Sequence, residues 1–152
     1  MGQQQLLLIV LGVIIVGIAI AVGISMFKSN AQSSNRDQVI NDLNNLAAKA
    51  QQYYRKPTAM AGGGQSFGGF SLAPVDTQNA NGLYSIAGVG GSVAAPTIGN
   101  YAQSVATGSA GTAQDSVLIL TGWGTEQGNN TGYKVEAYIT VTPNGATTTV
   151  LN

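Results

Sequence analysis

The sequence predicts an α+β protein, with a long N-terminal α-helical stem packed on a small C-terminal antiparallel β-sheet. Three observations carry this expectation. Residues 1–27 have no ionisable side chain, and from Leu6 to Ile24 the run LLLIVLGVIIVGIAIAVGI contains nothing polar. From Val39 to Tyr53 apolar residues recur at Leu43, Leu46 and Ala50, the three-and-four spacing of one helix face. Beyond Leu72 the apolar residues alternate instead, and Asn144-Gly145, a strong hairpin signal, separates two such runs.

The first run is helical by composition and apolar on every face. A helix of that kind must be buried all round, either in lipid or among other helices. Its length nearly matches the roughly 30 Å hydrocarbon core of a bilayer. No Lys or Arg precedes it and it is too long for a secretory signal, which leaves a membrane anchor or a helix that ends inside an assembly. Gly17 with Ala21, and Ala19 with Gly23, form small-xxx-small pairs that let helix backbones approach closely. The candidate assembly residues are Leu6, Leu7, Leu8, Ile9, Val10, Leu11, Val13, Ile14, Ile15, Val16, Gly17, Ile18, Ile20, Ala21, Val22, Ile24, Met26 and Phe27.

Lys28 is the first charge, and over the polar stretch that follows two readings stay open, a joint near 28–34 or a helix that continues through. Ser34-x-x-Asp37 resembles a capping box and predicts a fresh helix start near Ser34. The amphipathic helix then runs over 34–56. Ile40, Ala47 and Tyr54 form a second apolar row, Arg55 and Lys56 suit the C-terminal end of the dipole, and Pro57 stops the helix. The stem thus covers 1–56, with a membrane or filament-core part at 4–28. A glycine-rich linker covers 57–71, where AGGGQSFGGF is too rich in glycine for a regular element. Phe67 and Phe70 are expected to pin it to the stem or a neighbour. Residues 72–152 form the β head. Its strand candidates are Tyr84–Ala87, a weaker one over 92–105, Ser116–Leu120 with apolar residues on both faces, Tyr133–Val141 and Ala146–Leu151. Tyr133, Val135, Ala137, Ile139 and Val141 are expected on one face, covered by the amphipathic helix.

Composition excludes several functions. Six basic and six acidic side chains cancel, and the charged fraction of 8% is far below that of an ordinary soluble domain. Nucleic-acid binding has no electrostatic support. With no cysteine and no histidine, disulfides, thiol catalysis and imidazole chemistry are absent. The carboxylates Asp37, Asp42, Asp76, Asp115, Glu126 and Glu136 are scattered, and no pair suggests an acid–base couple. No catalytic residue, cofactor or metal is expected. The glycine run lacks the Lys-Ser/Thr of a phosphate loop, and Asp76–Gly82 has calcium-loop flavour without the register or the bidentate Glu, so a turn is expected there. Asn129-Asn130-Thr131 is a glycosylation sequon, with Asn129 as acceptor. Trp123, between Gly122 and Gly124, is read as a seal at the end of the sheet or an interface anchor. The aromatics Phe27, Tyr53, Tyr54, Phe67 and Phe70 are read as packing.

This layout of an all-apolar helix, an amphipathic continuation and a small antiparallel sheet resembles the type IV pilins and the pseudopilins of type II secretion. The resemblance spans the whole chain in layout and the first ~55 residues in helical pattern. It implies a structural subunit that polymerises with itself, is held in the cytoplasmic membrane before assembly, depends on a pilus assembly machinery, and ends in an extracellular filament at the cell surface. It also implies that Met1-Gly2 is a leader remnant, with cleavage after Gly2 and Gln3 as the mature start. Gln3 then stands where the family has a methylated phenylalanine, and Leu7 where it has a glutamate; a C-terminal disulfide loop is missing. A second reading stays open, a single-pass anchored module whose sheet meets a ligand outside the membrane.

Overall fold

The structure is a computed structural model that describes residues 2–90, 96–97, 116–130 and 132–152. One helix, α1 (Gly2–Arg55), makes up the stem. A short 3-10 turn at Thr58–Met60 and a single helical turn, α2 (Pro74–Thr77), follow. The sheet contains β1 (Gly82–Val89), β2 (Leu118–Gln127), β3 (Lys134–Thr142) and β4 (Gly145–Val150), antiparallel throughout and in the order β1-β2-β3-β4. This is the predicted α+β arrangement, with the C-terminal part of α1 laid across one face of the sheet.

Of the two readings of 28–34, the structure shows the continuous helix and no joint. α1 runs unbroken through Ser34, so the Ser34-x-x-Asp37 pattern starts no new helix. Residues 28–34 contain no proline and no glycine, and nothing there interrupts the ladder of i to i−4 hydrogen bonds. Ser, Asn and Gln cost little inside a helix that is already nucleated from both sides. At 54 residues the helix is about 80 Å long.

The amphipathic spacing decides which face is buried. Val39, Leu43 and Ala50 are fully buried, and Leu46 and Ala47 nearly so. They meet the inward residues of the sheet: Tyr84 and Ile86 of β1, Leu118 and Leu120 of β2, and Ala137, Ile139 and Val141 of β3. Where the helix comes closest the sheet needs glycine. A Cβ on Gly122 would press on Val39 and Tyr84, and one on Gly124 would overlap the Asn35 side chain.

The glycine-rich linker has a definite job. Helix carbonyls at a C-terminus lack intrahelical partners, and the linker folds back to supply them. Gly63 N donates to Tyr53 O at 2.9 Å, Gln65 N to Tyr54 O at 2.9 Å and Gly64 N to Lys56 O at 3.0 Å. Gly64 has φ +56°, and Gly62 lies so close to Lys56 that a side chain would collide with it. Phe67 and Phe70 then turn into the core as expected. The Phe67 ring lies 4.8 Å from Tyr54, and Phe70 meets Tyr53 edge-on at 5.5 Å.

All four strands differ in their bounds from the sequence reading: β1 is longer at both ends, β4 is shifted by one residue, and β2 and β3 differ in ways that have a cause. β2 begins at Leu118 and continues to Gln127, because Trp123 and its flanking glycines extend the pairing with β1 as far as Gly124. Tyr133 precedes β3 and is 45% exposed, so it does not share the buried face of Val135. The candidate over 92–105 lies outside the described residues save Pro96 and Thr97, which are in no strand.

Candidate functional site

Every candidate assembly residue lies on the part of α1 that touches nothing. The large aliphatic side chains from Leu6 to Ile24 are 49–68% exposed, and Phe27 is 79% exposed. An isolated helix shows such values on all its sides. This segment is long and apolar enough to cross a membrane. Gln3, Gln4 and Gln5 are exposed at its start.

The glycines of the exposed run differ from Gly122 and Gly124 beneath the helix. A Cβ added at Gly12, Gly17 or Gly23 would meet nothing within 4 Å. Glycine in a helix interior costs about 1 kcal/mol relative to alanine, and no contact within the subunit calls for it at these three positions.

Polar side chains fasten α1 to the head along its packed half, beginning where the exposed part ends. Asn35, buried and one turn before the core, donates from Nδ2 to Asn81 O at 2.9 Å and to Thr125 Oγ1 at 3.3 Å, while its Oδ1 accepts from Glu126 N at 3.3 Å. Gln32 donates to Asn129 Oδ1 at 2.8 Å, and Gln51 to Thr142 O at 3.1 Å. Thr148 donates to Asn44 Oδ1 at 3.3 Å. Sequence reasoning missed Asn35. Its signal was an amide in phase with Val39 and Leu43, at the spacing of one face.

Asp42 is the centre of the strongest cluster. Its Oδ2 accepts from Tyr84 OH at 2.7 Å, Asn79 Nδ2 at 2.8 Å and Asn81 Nδ2 at 2.9 Å. Burial pushes the Asp42 carboxyl up, but the bonds from Asn81, Tyr84 and Asn79 together outweigh it and hold the group below the usual carboxylate range. Burial, then the bond to Asp42 and its charge, push the Tyr84 phenol up. Asn79 Oδ1 accepts from the Asn81 and Gly82 amides, an Asx turn. The turn expected over Asp76–Gly82 is found at 79–82, while Asp76 and Thr77 belong to α2, and Asp76 is paired with Lys49 at 2.6 Å.

The cluster fastens α1 to β1, and Oδ2 of its one carboxylate accepts three bonds from within the subunit. Asp37 and Glu126 are exposed, Glu136 is buried on β3, and Asp115 lies outside the described residues. No three acidic, His or Cys side chains converge to hold a metal ion among the described residues. Asn129 is exposed in the β2–β3 connection; Thr131 of its sequon lies outside the described residues. The neighbouring Arg36 has Nε and Nη2 buried without a hydrogen-bond partner, and nothing in the structure explains it. Comparison with protein families, curated proteins and solved structures finds no match.

Proposed function

We propose that the chain is the structural subunit of an extracellular helical filament of the type IV pilus kind. Its stem holds it in the cytoplasmic membrane before assembly and is buried among the stems of other copies afterwards. The observation that carries this reading is the unbroken helix: the apolar, fully exposed part and the head's own core helix are one rigid element. A filament needs this, since the position of a stem in the polymer core must dictate where its head sits. A single-pass anchor needs only the apolar run and tolerates a flexible joint to its head.

Energetics say what must favour assembly. Each large aliphatic side chain taken out of water contributes about 1.5–3 kcal/mol, which makes lipid or a polymer the necessary surroundings of Leu6–Ile24. Between lipid and polymer this contribution nearly cancels, so close packing decides. Gly17 and Ala21, whose small size no contact inside the subunit requires, are assigned to close stem–stem contacts.

The test uses cells that make the chain. Negative-stain microscopy of sheared surfaces is expected to show filaments that contain it. Gly17→Leu keeps the run apolar and is expected to leave the protein in the membrane fraction while abolishing filaments. Membrane protein without filaments in the parent would favour the anchored module. Abundant filaments from Gly17→Leu would remove Gly17 from the contact.

A further inference from the structure

The sequence contains two Asn-Gly steps, Asn81-Gly82 and Asn144-Gly145, and the fold treats them in opposite ways. An asparagine followed by glycine is open to one covalent change, because no side chain shields the backbone nitrogen of the second residue. That nitrogen attacks Cγ of the asparagine and gives up its proton. The bond from Cγ to the side-chain nitrogen breaks, and ammonia leaves with the proton. Water then opens the five-membered imide at one of its two carbonyls, leaving an aspartate or an isoaspartate. The reaction needs no oxidant, but it needs room: the asparagine side chain must swing until Cγ meets the next nitrogen.

Asn81 is held against that swing. Its Nδ2 donates to Asp42 Oδ2 at 2.9 Å, its backbone N donates to Asn79 Oδ1 at 2.9 Å, and its O accepts from Asn35 Nδ2 at 2.9 Å. Gly82 is buried beside it, and a Cβ there would overlap the Trp123 carbonyl. Asn144 meets the opposite conditions. It is exposed at the tip of the β3–β4 turn, and its side chain has no hydrogen-bond partner among the described residues. A Cβ on Gly145 would meet nothing within 4 Å. The attacking nitrogens are themselves held alike, Gly82 N by Asn79 Oδ1 at 3.0 Å and Gly145 N by Thr142 Oγ1 at 3.2 Å. The difference lies in the asparagine side chain and the space around it. Thr142 and Gly145 also form the last rung of the β3–β4 ladder, and a rung in that position opens at little cost.

We infer that Asn144 is a site of spontaneous deamidation and that the fold exempts Asn81. Each event adds one negative charge to a chain whose formal net charge is zero. Gln51, close to the C-terminal end of α1, donates to Thr142 O at 3.1 Å, so the charge arises at the pole of the head remote from the exposed apolar run. The isoaspartate product also lengthens the main chain of the turn by one carbon atom. The inference does not rest on the filament reading, since a head on a simple anchor would carry the same turn.

The full chain in detergent micelles is kept at neutral pH and body temperature for several weeks, beside a sample unfolded in guanidinium. Peptide mapping by mass spectrometry reads the gain of one mass unit at each asparagine, and an isoaspartyl methyltransferase reports the isomer. In the folded chain Asn144 is expected to convert roughly tenfold or more faster than Asn81, about 1.4 kcal/mol in barrier. In the unfolded chain the two rates are expected to be similar. Gly145→Ala places a methyl group in open space at a residue without positive φ. It is expected to leave the thermal melt unchanged and to slow conversion of Asn144 by roughly tenfold. Asn144 that keeps its amide in the folded chain while the unfolded chain loses it would overturn the inference. So would equal conversion of Asn81 and Asn144 in the folded chain, or a Gly145→Ala variant that converts as fast as the parent.

Discussion

Residues 2–34 and 35–55 share one helix and one backbone geometry, yet their side chains meet opposite conditions. In the first part no residue is buried, although most are apolar. In the second, six residues are buried (Asn35, Val39, Leu43, Leu46, Ala47 and Ala50), all on one face. The glycines under and beside the helix differ from those of the exposed run. Gly62, Gly63, Gly122 and Gly124 are each hemmed in by a neighbour, while Gly12, Gly17 and Gly23 meet open space, as Gly132 and Gly145 in the connections of the head also do. A helix can therefore be continuous in hydrogen bonding and divided in what solvates it. The head satisfies its half from within; the stem half has to be satisfied from outside.

The largest effect we expect comes from placing a charge on each half. Leu43 is fully buried, and Leu43→Asp would leave an unpaired carboxylate in the core at a cost of several kcal/mol, a large part of the ~5–15 kcal/mol available to a domain. Circular dichroism of the full chain in micelles should show loss of the cooperative melt of the sheet. Ile15→Asp, at the centre of the apolar run, should cost about 3 kcal/mol of membrane insertion and leave that melt unchanged, because Ile15 is 57% exposed and touches no part of the head. If both variants melt alike, the two halves are not independent.

An intermediate effect belongs to the Asp42 cluster, which has no counterpart over residues 2–34. The folded-state pKa of Asp42 lies below its ordinary 3.8. The stabilisation is therefore present above about pH 4 and lost as pH falls through the lower folded value. The Tyr84 phenol is raised above its ordinary 10.0, so its contribution is present below pH 10 and lost as pH rises further. Tyr84→Phe removes the 2.7 Å bond and should cost about 1–2 kcal/mol at neutral pH. Melting temperature against pH should flatten at the acid end in Asp42→Asn and at the alkaline end in Tyr84→Phe. Unchanged profiles would mean that the helix and β1 are held by apolar contacts alone.

The smallest expected effect is that of Lys49→Ala. The Lys49–Asp76 pair is short, but the lysine side chain is 55% exposed, and pairs of that kind contribute about 0–1 kcal/mol. A chemical-denaturation midpoint that moves well beyond this range would show that the α2 turn is held mainly by its ion pair.

Much of this molecule was readable before any coordinates, for a reason specific to each part. The stem was legible because a run from Leu6 to Ile24 without a polar atom has few ways to exist. The inward faces of α1 and β3 were legible because helix and strand periods of 3.6 and 2 are set by backbone geometry. The Asx turn at 79–82 was legible because Asn and Gly satisfy that turn with their own atoms. Tertiary structure alone decided the rest. Capping is a local competition, and the Ser34 pattern lost it because helix on both sides propagates through. Asn35 becomes a fastener only when Asn81, Thr125 and Glu126, distant in sequence, converge on it. The row of Leu83, Trp123 and Glu136 exists only because three strands bring them side by side, a juxtaposition set by strand register and invisible to any local pattern.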